Sequence, residues 1–425
     1  MYNIIRLFER GYTMKKIRLG VVGIGRGRSM IEYAKKADHV ELVAICDKYE
    51  EGLINLKNEI KSDTIIFDLD YETFLTRDMD AVVLANYATE HAPFAIKAMK
   101  MGFHVLSEVL PVQTLKEAVE LIETVEETKM IYAYAENYCY MPAVREMKKL
   151  YEQGLIGEIE YGEGEYIHNC HPIWADITYG DKTHWRNHMY ATFYATHSIG
   201  PLIHVTKLKP VKVTGYEIPY GKRAYDMGKL GATAGIEMIE LENGAIIKSI
   251  HGDLAKNSIW YAIYGKHGRV ESAREDALLG DIERIYTHLD SKENENDGKV
   301  ETYLPQELFH EKAAGFGHGG SDFYTMYHFI EKLRGSKDAD IIDVYEAMDM
   351  FLPGLYAYRS ILNGGMPVRI PDLRIKAERD LVRFDIACTD PLVASDQLLP
   401  CYSKGNPQID EEVYLKLKDK WLNNK

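Results

Sequence analysis

Within the seventeen residues of Trp185–Pro201, WRNHMYATFYATHSIGP, stand Arg186, Tyr190, Tyr194 and His197. These side chains move protons and hold hydroxyl groups: an imidazole ionises near neutrality, a phenol donates or accepts, and a guanidinium offers several fixed N–H donors. A helix through the segment would set Tyr190, Tyr194 and His197 at i, i+4 and i+7 on one face, with Ile199, Leu202 and Ile203 opposite. Gly200-Pro201 predicts a kink or a boundary, because proline inside a helix removes a hydrogen bond and clashes with the preceding turn. The same pattern fits a core helix around a satisfied histidine, and the segment alone leaves both readings open.

The elements that must position such a site begin at Ile17. The run IRLGVVGIGRGRS, a helical stretch and VELVAICD read as strand, glycine turn, helix and strand. Gly23 and Gly25 let the backbone turn tightly and approach a pyrophosphate at a helix N-terminus, where free amides favour negative charge. Gly27 adds freedom, while the third glycine of a strict GxGxxG is Arg28. Asp47 closes the second strand 24 residues after Gly23, placed to accept both hydroxyls of an adenosine ribose and to repel a 2′-phosphate. The reading is NAD over NADP, with Lys48 arguing the other way.

Apolar runs at 64–67, 81–85, 104–107 and 130–134 alternate with helical stretches, which specifies a doubly wound parallel sheet covered on both faces. Ligands bind such sheets beyond the carboxyl ends of the strands. That rule puts three loops at the cofactor: Asn86 to His91, Glu108 to Pro111, and Glu136-Asn137. The expected cofactor residues are Gly23, Gly25, Arg26, Gly27, Asp47, Asn86, His91 and Glu108.

From about residue 138 the pattern changes to a helix over 142–153 and then to alternating strands, with hairpin turns at Glu242-Asn243-Gly244 and at 265–268. We expect an N-terminal α/β domain over 14–137 and an α+β domain over 138–370 with a large, mostly antiparallel open sheet. Residues 371–425 should form a tail that wraps the body, and residues 1–13 an extension ahead of Met14. Residues 291–299, SKENENDGK, read as a solvated loop, and His318 to Asp322 as a capped helix start.

The formal net charge of −14 argues against a nucleic-acid or anionic-membrane partner, which would want a basic face. No apolar run reaches membrane-spanning length, and the first residues lack a secretory signal. Five scattered cysteines without CxxC pairing read as reduced thiols in a cytoplasmic protein. Histidines crowd residues 168–204 without zinc-ligand spacing, so no metal is expected.

The order of glycine turn, Asp47, ANYATEH, SEVLPVQTLKEA and AENYCYMPAVREMKKLYEQGLIGEI resembles the Gfo/Idh/MocA family of NAD(P)-dependent sugar and polyol oxidoreductases, over residues 14 to about 370. The resemblance implies a Rossmann domain followed by a substrate domain whose sheet also carries a homo-oligomer interface. Where that family usually has Glu-Lys-Pro, with a lysine that assists proton transfer, this chain has Glu108-Val109-Leu110 and Pro111 one place later.

A branch lacking that lysine is similar at AENYCY, at GEGEYIHNC over 162–170 and at WRN…YATHSIGP: the NAD-dependent glycosidases of glycoside hydrolase family 109. Those enzymes usually show Tyr-Pro-Thr-His where Tyr194-Ala195-Thr196-His197 stands here. The resemblance implies redox-neutral glycoside cleavage: oxidation at carbon 3, elimination, hydration and re-reduction on a recycled NAD. His197 would handle the hydroxyl proton, Tyr166 the carbon 2 proton, and Glu136, Arg186 and Tyr194 the sugar hydroxyls. Phenol is an awkward base, since its pKa lies near ~10. The competing readings are a net NAD-dependent sugar or inositol-like dehydrogenase with His197 as sole base, and an NAD-sensing binding protein.

Overall fold

The structure is a computed structural model that describes residues 16–275, 282–291, 294–306 and 308–424. The expected extension over residues 1–13 and the start at Met14 lie outside the described residues. Six strands form the first sheet: β1 (Ile17–Val22), β2 (Val40–Cys46), β3 (Ile66–Asp68), β4 (Ala81–Leu84), β5 (His104–Ser107) and β6 (Tyr132–Tyr134). They pair in the order β3-β2-β1-β4-β5-β6, and every pairing is parallel. The strands are short and apolar; β4, for example, is buried along its whole length. Helices α1 (Arg28–Lys36), α2 (Glu50–Ile60), α3 (His91–Lys100) and α4 (Leu115–Thr128) connect them. The chain reverses its direction of winding between β1 and β4, so the loops after these two strands face one crevice.

Helix α5 (Pro142–Glu152) leads into nine further strands: β7 (Ile159–Ile167), β8 (Pro210–Glu217), β9 (Ala234–Leu241), β10 (Ile246–Gly252), β11 (Ser258–Gly265), β12 (Gly268–Ser272), β13 (Ile285–Ser291), β14 (Asn294–Tyr303) and β15 (Val368–Arg369). Their order is β14-β13-β12-β11-β7-β10-β9-β8-β15, antiparallel throughout except between β7 and β10. The two expected hairpins join β9 to β10 and β11 to β12. The stretch 291–299 is a correction: most of it belongs to strands β13 and β14.

One face of this sheet is covered by helices α6 (Thr196–Thr206) and α8 (Val344–Leu362), while α7 (Ser321–Leu333) packs back onto α1 of the first unit. All eleven residues of α6 are buried. The other face of the sheet is solvated and carries cross-strand ion pairs such as Lys248–Glu163.

Beyond β15 the chain crosses both units. Arg379 and Arg383 each lie 2.7 Å from a glutamate of α4, Glu126 and Glu123 respectively. Asp385 then pairs with Arg359 of α8. The last helix, α9 (Glu411–Asn423), lies over residues 172–179, where Lys420 Nζ donates to the Pro172 carbonyl at 2.6 Å.

Candidate functional site

The glycine turn after β1 is built for close approach. Gly23 has φ +94°, and a β-carbon there would lie 2.2 Å from the carbonyl oxygen of Ala85 in the loop after β4. Gly25 meets nothing within 4 Å and presents an open edge, whereas a β-carbon at Gly27 would lie 2.1 Å from the Gly23 carbonyl. Gly27 therefore takes the packing role of a third glycine one place earlier than the strict spacing. Helix α1 starts there with no side chain capping its amides. Asp47 braces the turn by accepting from the amides of Ile24 and Tyr49, each at 2.8 Å. Lys48 is drawn aside to Glu90 at 2.9 Å and lies over the Tyr87 ring. Asn86 lines the cavity, and its buried Oδ1 has no donor. Uncapped amides, an open glycine edge, a carboxylate and an orphan acceptor fit a dinucleotide.

His91 departs from expectation. It is buried off the cavity, where Nδ1 bonds to the Leu110 carbonyl at 2.8 Å, and burial lowers its pKa to about 4. A neutral ring that tethers the 108–111 loop is not a cofactor ligand.

Arg26 ties the two units together. Its guanidinium donates to both oxygens of Asp322 at 2.8 and 2.7 Å and lies 2.9 Å from Oε1 of Glu108. Burial pushes Glu108 up to about 7 against the pull of Arg26. Burial opposes ionisation of Asp322 too, but hydrogen bonds from His318 and Arg26 outweigh it and hold that carboxyl well below the usual range. Asn137 adds a third donor at 3.0 Å. Asp322 is thus the hub of a cross-domain network and caps no helix; α7 begins on Gly320 at φ 86°.

His197 opens α6, and its Nδ1 lies 2.6 Å from Oε1 of Glu136. Glu136 has no exposed surface, and its other oxygen accepts from Thr196 Oγ1 at 2.9 Å. This corrects the expectation that Glu136 holds sugar hydroxyls: it stands behind His197 and orients the ring, leaving Nε2 for the cavity. Pro201 does not break α6. Its missing N–H leaves the His197 carbonyl without a helical donor, and the Tyr261 hydroxyl supplies one at 2.6 Å.

Strand β7 explains how the helix and the cavity share one sheet. Its inward positions are Gly162, Gly164 and Tyr166, with His168 next in the alternation. A β-carbon at Gly164 would lie 1.8 Å from the Ser198 carbonyl, so α6 sits directly on the strand. Tyr166 and His168 then line the cavity beyond the helix, their Oη and Nδ1 3.1 Å apart. Burial raises the Tyr166 phenol well above its ordinary value, an effect that Tyr138 and Tyr194 reinforce, and burial lowers His168.

Tyr194 and Arg186 also line the cavity, but both precede the helix. The guanidinium of Arg186 packs 4.4 Å from the Trp185 ring. Tyr190 does not join them: it is buried and stacked on Tyr358 with centroids 4.4 Å apart. Turn residues 191–195 replace the helix that would have aligned it.

Arg26, Asn86, Glu108, Tyr166, Tyr194 and His197 border one cavity of about 270 Å³ that reaches from the glycine turn to the nine-stranded sheet. The sequence profile described as "Glycosyl hydrolase 109, C-terminal domain" matches residues 140–377, and that of the "Oxidoreductase family, NAD-binding Rossmann fold" matches residues 17–136. The chain belongs to the glycosyl hydrolase 109 family. A glycosyl hydrolase family 109 protein of Shewanella sp. (strain W3-18-1) is 25% identical over 392 residues, covering 84% of this chain and 85% of the relative. An alpha-N-acetylgalactosaminidase of Shewanella oneidensis is 26% identical over 393 residues with the same coverage. Among solved structures, an oxidoreductase domain protein from Kribbella flavida superposes with TM-score 0.68 at 18% identity, covering 84% of this chain and 100% of the other. The scyllo-inositol dehydrogenase of Lactobacillus casei with NAD(H) and scyllo-inositol gives 0.64 at 18% identity, covering 84% and 99%. These structures share the fold.

In this glycosyl hydrolase 109 enzyme the six-stranded unit is an NAD-binding Rossmann fold. The far wall of its cavity contains residues for which the sequence carried no motif: Lys229, His251 and Asp253. Asp253 Oδ1 accepts from the Cys170 amide at 2.8 Å and from Arg223 at 2.6 Å. Burial lowers His251 to about 3. No described helix is long and apolar enough to cross a membrane.

Proposed function

We propose that this enzyme cleaves glycosides without net oxidation, through oxidation at carbon 3, elimination between carbons 1 and 2, hydration and re-reduction. The observation that carries the reading is the presence of two proton-handling pairs on one cavity, His197 with Glu136 and Tyr166 with His168. An elimination route needs a site for the hydroxyl proton and another for the carbon proton, whereas hydroxyl oxidation alone needs one. Val109, at the position of the usual lysine, lines the cavity with an apolar side chain and offers no proton.

When bound, NAD⁺ supplies reversible hydride acceptance, so the carbon 2 hydrogen becomes acidic while carbon 3 is a ketone. The glycine turn, Asp47 and Asn86 would hold it. Nε2 of His197 takes the hydroxyl proton, and the Glu136 carboxylate stabilises the imidazolium that forms. Tyr166 passes its own proton to Nδ1 of neutral His168 as it receives one from carbon 2, so no free phenolate is required. Arg186 and Tyr194 hold ring substituents, and the apolar ring of Trp185 keeps the guanidinium in place.

Incubation with NAD⁺ and a panel of nitrophenyl glycosides tests the reading. Aglycone release without accumulating NADH is the expected result. Stoichiometric NADH would return the protein to the sugar or inositol dehydrogenases, and neither signal would make it an NAD sensor. Tyr216, Met238, Tyr264 and Tyr286 are exposed on the solvated face of the sheet. They support a homo-oligomer through that face, which light scattering would detect. The scattered cysteines support a reducing, cytoplasmic setting.

A further inference from the structure

Two cations on the cavity wall make no close ion pair among the described residues, although Asp253 acts on one of them, Lys229, from a distance. Lys229 is 4% exposed and lines the cavity, yet no carboxylate among the described residues lies within ion-pair distance of its ammonium. Its backbone is fixed on both sides: the amide donates to the Ala224 carbonyl at 3.0 Å, and its carbonyl accepts from the Tyr220 hydroxyl at 2.9 Å. Arg186 lines the same cavity, held by ring contacts with Trp185 and Tyr194 and by no acid among the described residues. The two side chains spring from adjoining segments, since the amide of Leu230 donates to the carbonyl of Asn187 at 2.8 Å.

The acids of the cavity are paired with other cations, Asp253 through Oδ1 alone. Glu108 faces Arg26, and Asp253 is bonded to Arg223 and the Cys170 amide. His168, His184 and His251 are all shifted by burial towards the neutral form. Arg186 and Lys229 are therefore the cations of this wall left without an ion pair among the described residues. Burial lowers the basicity of Lys229 against the pull of Asp253, and Arg186 adds a little to the lowering. A buried ammonium without a close partner is costly, and the cost falls when a ligand brings the opposite charge. The cofactor's pyrophosphate does not serve, because its amides are at the N-terminus of α1 in the other domain, whereas Lys229 stands among Cys170, Thr233, His251 and Asp253.

We propose that the sugar accepted here carries an anionic oxygen substituent, a carboxylate or a sulfate ester, held between Lys229 and Arg186. Asp253 Oδ2, buried without a donor, would accept from a neighbouring hydroxyl. This names the substrate class for the glycoside reading above and rests on it.

The test uses matched nitrophenyl glycosides with the NAD⁺-loaded enzyme: glucuronide against glucoside, galacturonide against galactoside, and 6-sulfated against unsulfated sugars, in both anomers. The acidic member of at least one pair should show kcat/KM greater by about tenfold or more, the scale of one charge-assisted contact. Lys229→Met should collapse that ratio towards one, and Lys229→Arg should keep it. The pair with the larger ratio separates carboxylate from sulfate. Neutral members cleaved as well as or better than acidic ones, or a ratio that survives both Lys229→Met and Arg186→Met, overturns the proposal. If Lys229→Met does not fold, the wild-type ratios decide. Calorimetry with free glucuronate and galacturonate against glucose and galactose reads the site without turnover. Tenfold tighter binding of the acids with no glycoside cleaved would sink the glycosidase reading and leave the anion site standing, while equal binding would sink the anion site whatever the turnover.

Discussion

Nδ1 of His197 and Oε1 of Glu136 lie 2.6 Å apart, although 61 residues separate them in the chain and the carboxylate has no exposed surface. A histidine backed in this way keeps one tautomer and presents Nε2 to the cavity. Glu136→Gln keeps the shape and removes the charge, so kcat should fall about 100-fold while NAD⁺ binding persists. His197→Asn should suppress hydride transfer itself, read as loss of the transient NADH absorbance. Val109→Ala should be mild beside either, and an equal loss at Val109 would remove the argument.

Carbon 2 gives the sharpest chemical readout. Turnover in deuterated water should place deuterium there, because elimination and hydration exchange that hydrogen with solvent. Tyr166→Phe should retain cofactor binding and slow the exchange sharply, and His168→Phe should do so more weakly. Product free of deuterium at carbon 2 would refute the elimination route.

Asp47 should favour NAD over NADP, since its carboxylate repels a 2′-phosphate. Titrating both nucleotides by calorimetry should show the preference, and Asp47→Ala should narrow it. The same substitution removes the acceptor for the Ile24 and Tyr49 amides. The affinity for both nucleotides should therefore drop as well. Equal or tighter NADP binding to the unaltered protein contradicts this role.

Glu108 couples stability to pH. Its carboxyl is raised from 4.5 to about 7 in the fold, first by burial. The folded chain thus binds a proton that the unfolded chain has released between these values, and the contribution of Glu108 to stability declines as pH rises through that window. Glu108→Gln should flatten the decline in Tm of the cofactor-free protein from pH 5 to pH 7. An unchanged slope would show that the carboxyl is ionised throughout.

Tyr261→Phe should cost about 1–3 kcal/mol, because the His197 carbonyl then has no donor in a buried place. Urea unfolding measures this directly. A midpoint matching the unaltered protein would mean that water replaces the hydroxyl.

The glycine turn and Asp47 are readable because each obeys a local rule, close backbone approach and strand-end placement. His197 stands out by the residue types gathered in 185–201 together with the family resemblance, and Tyr166 by the resemblance alone. A helix through 185–201 would align Tyr190 with Tyr194 and His197, but residues 191–195 form turns and the Tyr190 ring packs on Tyr358. Glu136 lies outside the reach of spacing arguments. Whether a carboxylate meets the substrate or the histidine depends on a pairing between β6 and α6 that only the packed chain defines. Lys229 sits in a loop without motif or period, so only the packed chain brings it to the cavity.

The contact of Gly164 with the Ser198 carbonyl fixes how closely α6 sits on the sheet. A β-carbon at position 164 has no room, and the seam behind α6 is closed by the 2.8 Å bond between Ser198 and Ser249. Lys229, Thr233 and Asp253 stand on the opposite wall, outside that seam. A substitution on the far wall should therefore change what a ligand meets there and leave the seat of His197 as it is, whereas one at Gly164 should displace that histidine with its helix.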